Sequence, residues 1–154
     1  RMKTLFERGE YLDRIARAKR AMAERGMDLL LVASPANQFW LTGYDGWSFY
    51  TPQVAVVSAV LAEPVVIVRL MDANGAKVTT FLDHGNIVGY PDRYVQSTER
   101  HPMDFIAEEL TRRGLGTGVI GLEMDAYYFT AAAAVFTERS SQGLAGTLGG
   151  AANP

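Results

Sequence analysis

Two β-branched runs, Val54 to Leu61 and Val65 to Leu70, are separated only by Ala62-Glu63-Pro64. A connection that short joins antiparallel neighbours in a hairpin. Pro64 has no N–H to give to a ladder, which puts the start of the second strand at a sheet edge. Around this pair the periodicity changes repeatedly. Glu10 to Arg25 places Leu12, Ile15, Ala16, Met22 and Ala23 on one stripe at helical spacing, with Arg14, Arg17, Arg20 and Arg25 facing away and Gly26 at the C′ position. The strand Asp28 to Ala33 follows, and Ser34-Pro35 then supplies an N-cap and a first helical position. Asp72 to Phe81 reads as a weak helix, because Asn74-Gly75 costs stability inside it. Ile87 to Tyr90 is a short strand ended by Pro91. Pro102 to Arg113 is a helix with Asp104, Glu108 and Glu109 early and Arg112 and Arg113 late, as the helix dipole favours, and Gly114 stops it. Val119 to Glu123 is the next strand, and Tyr127 to Glu138 a last, alanine-rich helix. Alternating strands and helices with one hairpin predict an α/β fold, a mixed β-sheet flanked by helices. No internal repeat is visible.

A chain of 154 residues, 48% apolar and 21% charged, fits one domain with a useful core. Its formal net charge of −2 leaves no electrostatic footprint for nucleic acid or an anionic membrane. The absence of cysteine excludes disulfides and thiolate metal sites. No apolar run is long enough to span a bilayer, and the basic N-terminus leads into an amphipathic segment, so a cytoplasmic location is expected. Arg1 before Met2 leaves the natural start of the chain open. Residues Ser140 to Pro154 form an uncharged Gly/Ala-rich segment, a linker or a foreign tail by composition.

The stretch Asn37-Gln-Phe-Trp-Leu-Thr-Gly-Tyr-Asp-Gly-Trp-Ser-Phe-Tyr50 begins where a buried strand ends. A run this aromatic must pack into a core, line a pocket or meet a partner. Gly43-Tyr44-Asp45-Gly46 reads as a turn. Phe39, Trp40 and Leu41, next to the strand, suit the core; Trp47, Phe49 and Tyr50 come after the turn and suit it less well. Among other candidates, Gly114-Leu-Gly-Thr-Gly118 ends a helix and opens a strand, the reverse of a phosphate loop, so it is a connection. Asp83 and His84, adjacent on a strand, would point to opposite faces, and His101 before Pro102 suits a helix cap. No Gly-x-Ser-x-Gly elbow or cysteine nucleophile is present, and the scattered carboxylates read as solvated charges. Arg69, closing an apolar strand, either recognises a carboxylate bidentately, or caps the sheet edge or pairs with Asp72. Tyr90-Pro-Asp-Arg-Tyr94 is either a structural turn or part of a substrate wall.

The helix ending in Arg25-Gly-Met-Asp28, the strand after it, Ser34-Pro-Ala-Asn37 and Leu41-Thr-Gly-Tyr44 resemble the N-terminal domain of the creatinase/prolidase family. These are the pita-bread hydrolases that include creatinase, aminopeptidase P and Xaa-Pro dipeptidase. Leu41 to Tyr50, Asp72-Ala-Asn-Gly-Ala76, Gly89 to Ser97 and Glu99 to Asp104 are most similar to the ectoine hydrolase branch. The resemblance runs from about Phe6 to about Ala134. It implies a ribonuclease H-like domain over residues 1–139, followed by a tail over 140–154 that does not match. It also implies that the catalytic domain, with its metal ligands or its catalytic histidine, is absent from this chain. The chain alone is therefore expected to be inactive, with no catalytic residue, no cofactor and no metal site of its own. The family implies a homodimer in which this domain helps form the substrate site of the neighbouring subunit, for a small-molecule substrate. On that reading Trp47, Phe49, Tyr50 and Arg69 are the substrate-binding candidates. The alternatives are the N-terminal domain of an Xaa-Pro dipeptidase or aminopeptidase P, or a non-catalytic peptide-binding module of the same fold.

Overall fold

The computed structural model describes residues 4–48 and 50–126. The expected helix over 127–138, the tail over 140–154 and candidate Phe49 lie outside them.

The chain opens with α1 (Arg8–Glu24), which buries Tyr11, Ile15 and Met22, and Gly26 follows it at φ +65°. Arg14, expected to face solvent, is buried instead. Its guanidinium donates to the Trp40 carbonyl at 3.0 Å, pairs with Glu10 and lies 4.2 Å from the centre of the Phe6 ring. A cation met by a carboxylate, a carbonyl and a π face can leave water, so the arginine joins the inner stripe. Ala23, expected on that stripe, is exposed.

β1 (Leu29–Val32) leads through Ser34 and Pro35, at the N-cap and first helical positions as the sequence indicates, into α2 (Pro35–Thr42). β2 (Val54–Ser58) and β3 (Val65–Arg69) form the hairpin, and α3 (Leu70–Thr79) starts directly at the end of β3. Asn74 and Gly75 sit inside α3 at positions open to solvent, and the helix is held by Ala73 and Ala76 beneath it. A 3-10 turn (His84–Asn86) precedes β4 (Ile87–Tyr90), and another (Asp92–Tyr94) follows it. His84 is thus exposed on a turn rather than on a strand, because Asp83 accepts from the Gly85 N–H at 2.8 Å and caps that turn. α4 (Pro102–Arg112) begins with a capping box, in which His101 Nδ1 accepts from Met103 N–H at 3.1 Å and Asp104 accepts from the His101 N–H at 3.0 Å. Gly114 to Gly118 is a plain connection to β5 (Ile120–Leu122).

Among the described residues the strands form one sheet in the order β4-β3-β2-β1-β5. β2 is antiparallel to β1 and β3, while β5 pairs parallel with β1 and β4 with β3. All strands but β2 therefore point the same way. β3 is interior, which corrects the edge assignment drawn from Pro64. The proline precedes Val65, the first paired residue, so the ladder loses no donor. Val54, Val56, Val65 and Ile67 meet Met103, Ile106 and Leu110 of α4 on one face. Ala55, Val57, Val66 and Val68 meet α1, α2 and α3 on the other, through Tyr11, Ile15, Leu41 and Ala76. Cover on both faces explains why β2 and β3 read as continuous β-branched runs rather than alternating ones. The result is the α/β layer arrangement that the sequence predicts.

Candidate functional site

The forward ends of β1, β3, β4 and β5 share one edge of the sheet with the start of β2. In open α/β sheets this edge is where ligands bind. Here it carries α2, the aromatic loop after it and the first turn of α3.

Gly43 ends α2 in the left-handed conformation, φ +81°, where a Cβ would stand 3.0 Å from the Tyr11 hydroxyl. Tyr44 turns back and is buried. The loop is then clamped by two buried amides. The Gln53 side-chain NH2 donates to Gln38 Oε1 at 2.7 Å and to the Gly46 carbonyl at 3.0 Å. Gln53 Oε1 accepts from the Ser48 N–H at 2.9 Å. Gln38 in turn donates to the Val32 carbonyl at 3.0 Å and the Gln53 carbonyl at 2.9 Å, which ties the clamp to β1 and β2. Ser48 Oγ donates to Asp72 in the first turn of α3, and the Tyr90 hydroxyl donates to the Pro52 carbonyl at 2.5 Å. Burial raises the Tyr90 phenol above its ordinary range.

Held this way, the loop presents Trp47 and Tyr50, each 58% exposed. Trp40, expected in the core with Phe39 and Leu41, is 38% exposed and lies against the guanidinium of Arg17 at 5.3 Å. Leu41 is buried and Phe39 half-buried, since an eight-residue helix can turn only one face inward.

Arg69 does reach a carboxylate bidentately, but the partner is Asp92. Its Nε donates to Oδ1 at 2.7 Å and its Nη2 to Oδ2 at 3.2 Å. Asp72 is taken by Ser48 instead, which corrects the pairing with Asp72 considered from sequence. The Arg69 guanidinium holds the Asp92 carboxyl below the usual carboxylate range. Asp92 raises the arginine in return, with a smaller contribution from the Tyr50 phenol beside it. The structure therefore brings Tyr50, Arg69 and the Tyr90-to-Tyr94 turn together, with Trp47 on the same loop and exposed Leu70 and Met71 next in chain to Arg69.

Reading the carboxylates as solvated charges missed several anchors. Glu123, just past β5, accepts from the Ala33 and Ser34 N–H groups at 2.8 and 2.7 Å and from Asn37. It anchors the entry to α2, through the backbone of Ala33 and Ser34 and the side chain of Asn37 in the first turn, while the Ser34 side chain makes no cap bond. Glu109, 8% exposed at its side chain, is bonded by Arg112 and Arg113, and Arg113 also donates to the Gly85 carbonyl at 2.6 Å. The partners of Glu123 lie far away in sequence, where no local pattern marks them, whereas Glu109 with Arg112 and Arg113 has the i,i+3 and i,i+4 spacing that pairs side chains on a helix. The sequence signal available was the pair of amides, Gln38 and Gln53, placed among apolar neighbours.

Chemically, the edge offers a guanidinium fork, two exposed aromatic faces and hydroxyls. Among the described residues no group of three or more His, Cys, Asp and Glu could hold a metal ion. A groove of about 380 Å³ lies elsewhere, lined by Glu10, Asp13, Arg17 and Arg20 of α1 alone, and brings no second element to a ligand. No helix of the described residues is long and apolar enough to cross a membrane.

The pattern of the creatinase/prolidase N-terminal domain matches residues 14–144. The chain belongs to that family. It is 50% identical over 129 residues to the ectoine hydrolase of Halomonas elongata, covering 83% of this chain and 32% of the relative. It is 44% identical over 126 residues to the uncharacterized hydrolase/peptidase y4tM of Sinorhizobium fredii, covering 82% and 32%. The chain thus spans about a third of the length of the curated relatives it matches. Family folds agree as well. An Xaa-Pro aminopeptidase from Streptococcus pyogenes superposes with a TM-score of 0.66 at 20% identity, over 94% of this chain and 95% of the other. The N-terminal domain of Xaa-Pro dipeptidase from Lactobacillus brevis gives 0.67 at 15% identity, over 82% and 87%. At such identities the likeness speaks for the fold alone.

Proposed function

We propose that this chain is the N-terminal, non-catalytic domain of a C–N hydrolase of the ectoine hydrolase type. The whole enzyme would open a cyclic amidine by adding water, in a catalytic domain corresponding to the additional length of the relatives. In this reading the domain supports a homodimer in the cytoplasm. It contributes Trp47, Tyr50 and Arg69, with Phe49 of the same loop, to the substrate site of the neighbouring subunit. The 50% identity to an ectoine hydrolase carries the proposal. The chemistry of the sheet edge supports it. Ectoine is a compact ring with an amidinium and a carboxylate, which suit an aromatic face and a guanidinium fork respectively.

The test is Trp47→Ala in the full-length protein, assayed for ectoine hydrolysis and thermal stability. The expected result is normal folding with a raised KM or a lowered kcat. A large loss of stability with unchanged kinetics in the surviving fraction would return Trp47 to a packing role. Turnover of an Xaa-Pro dipeptide in place of ectoine would replace the substrate with that of a proline peptidase.

A further inference from the structure

The Arg69–Asp92 pair differs from the other arginine–carboxylate pairs of the described residues. Glu109 is 8% exposed at its side chain and is bonded by two arginines. Glu63, at 13%, also accepts from the Asp83 N–H and from Asn86. In the Arg14–Glu10 pair the carboxylate is 49% exposed, but the guanidinium, at 7%, is buried out of reach of a ligand. In the remaining pair the guanidinium is partly open, 22% exposed, and is joined to the most exposed of the paired carboxylates, at 65%. Arg69 is fixed by its backbone at the junction of β3 and α3, with Tyr50 beside it. Asp92 begins a three-residue turn after β4 and has water on its far side.

We propose that this fork is an exchange site for small-molecule carboxylates: the ligand's carboxylate takes over Nε and Nη2 of Arg69, and Asp92 turns out into solvent. This rests on the reading of Arg69 as a substrate-binding residue and adds a resident competitor to it. A free carboxylate can make the same two parallel bonds, so no new geometry is needed. The exchange is cheap because Asp92 regains hydration as it leaves. An exposed ion pair of ordinary strength keeps the arginine occupied by a few to one, so Asp92 lowers the apparent affinity by up to about sixfold. The site would thus reject weak anions while admitting a ligand that also engages the aromatic loop.

The experiment titrates the full chain with sodium acetate, and separately with ectoine, while following the Arg69 Nε–H resonance, which is assigned by its loss in Arg69→Gln. Acetate should shift that resonance saturably, and Asp92→Ala should tighten acetate binding about threefold to sixfold. If Asp92→Ala does not fold, Asp92→Asn, which keeps the shape and removes the charge, carries the same comparison. Unchanged or weaker acetate affinity in the folded variant, or no saturable shift, overturns the exchange. Its failure is separable from that of the proposed function. Acetate exchange with no kinetic effect of Arg69→Gln in the full-length enzyme would leave the exchange standing and remove Arg69 from the substrate site. A kinetic effect of Arg69→Gln without tightening by Asp92→Ala would do the reverse.

Discussion

Replacing Gln53 with Leu should release the aromatic loop from the sheet. The side chain of Gln53 is 1% exposed at residue level, and its amide makes the three loop contacts to Gln38, Gly46 and Ser48. Leucine fills the space but satisfies none of them. Gln38 Oε1 then loses its partner inside a residue that is 0% exposed, while the Gly46 carbonyl and Ser48 N–H can move toward water. An unmet buried polar group costs about 1–3 kcal/mol, so the whole change should cost about 3 kcal/mol. For a chain of this size that corresponds to a fall in Tm of roughly 6–12 °C. The assay is thermal unfolding followed by far-UV circular dichroism, with hydrogen exchange at Gly46 and Ser48 as the local readout. The companion is Gln38→Leu combined with Gln53→Leu. The double variant removes both Gln38 Oε1 and the Gln53 amide that bonds it, which each single variant leaves unmet, so it should cost less than the sum of the singles. A Gln53→Leu Tm within about 2 °C of the parent, with unchanged protection in the loop, would refute the clamp.

Glu123→Gln should cost about 1–2 kcal/mol and loosen the entry to α2, because a neutral amide oxygen replaces the charged Oε2 that accepts from both the Ala33 and Ser34 N–H groups; hydrogen exchange at those two amides checks it. A pH effect is expected from His101. Burial holds its imidazole below the ordinary value of 6.5, and the neutral ring accepts the Met103 N–H. The folded state therefore favours the neutral form, and this stabilisation is present above about pH 6.5 and is lost as pH falls through the lowered folded value. Melting temperatures between about pH 7.5 and 5.5 should fall in the parent and fall less in His101→Asn, whose amide oxygen caps without titrating in that window. An identical pH slope in the two proteins would count against the cap. Glu109 and Asp92 do not interfere, since their arginine partners hold both carboxyls below the ordinary range.

What could be read from the sequence followed from how locally each feature is determined. The hairpin, α1, α4 and the connections at Gly26 and Gly114 are fixed by periodicity and by glycine, and these were legible to within three residues. Pro64 misled because a strand's first position tolerates proline in an interior strand as readily as at an edge, provided pairing starts one residue later. Arg14 misled because charge was taken as a sign of exposure, whereas Phe6, Glu10 and the Trp40 carbonyl surround it from three segments of chain.

The sheet edge was only partly legible, for a related reason. Exposure of Trp47 and Tyr50 could be suspected from their place after a glycine turn, but what holds that loop comes from elsewhere. Gln53 lies just before β2, Asp72 on α3 and Tyr90 at the end of β4, and each reaches the loop from its own strand or helix. The same holds for Arg69, whose partner stands 23 residues ahead, on the turn after the neighbouring strand. Parallel pairing of β3 with β4 puts Arg69 opposite Tyr90, and Asp92 follows two residues later. The fork is thus a consequence of sheet register. A shift of β4 by one residue would reverse its side-chain faces and carry Asp92 away, so the register that builds the core also sets whether Arg69 has a resident carboxylate.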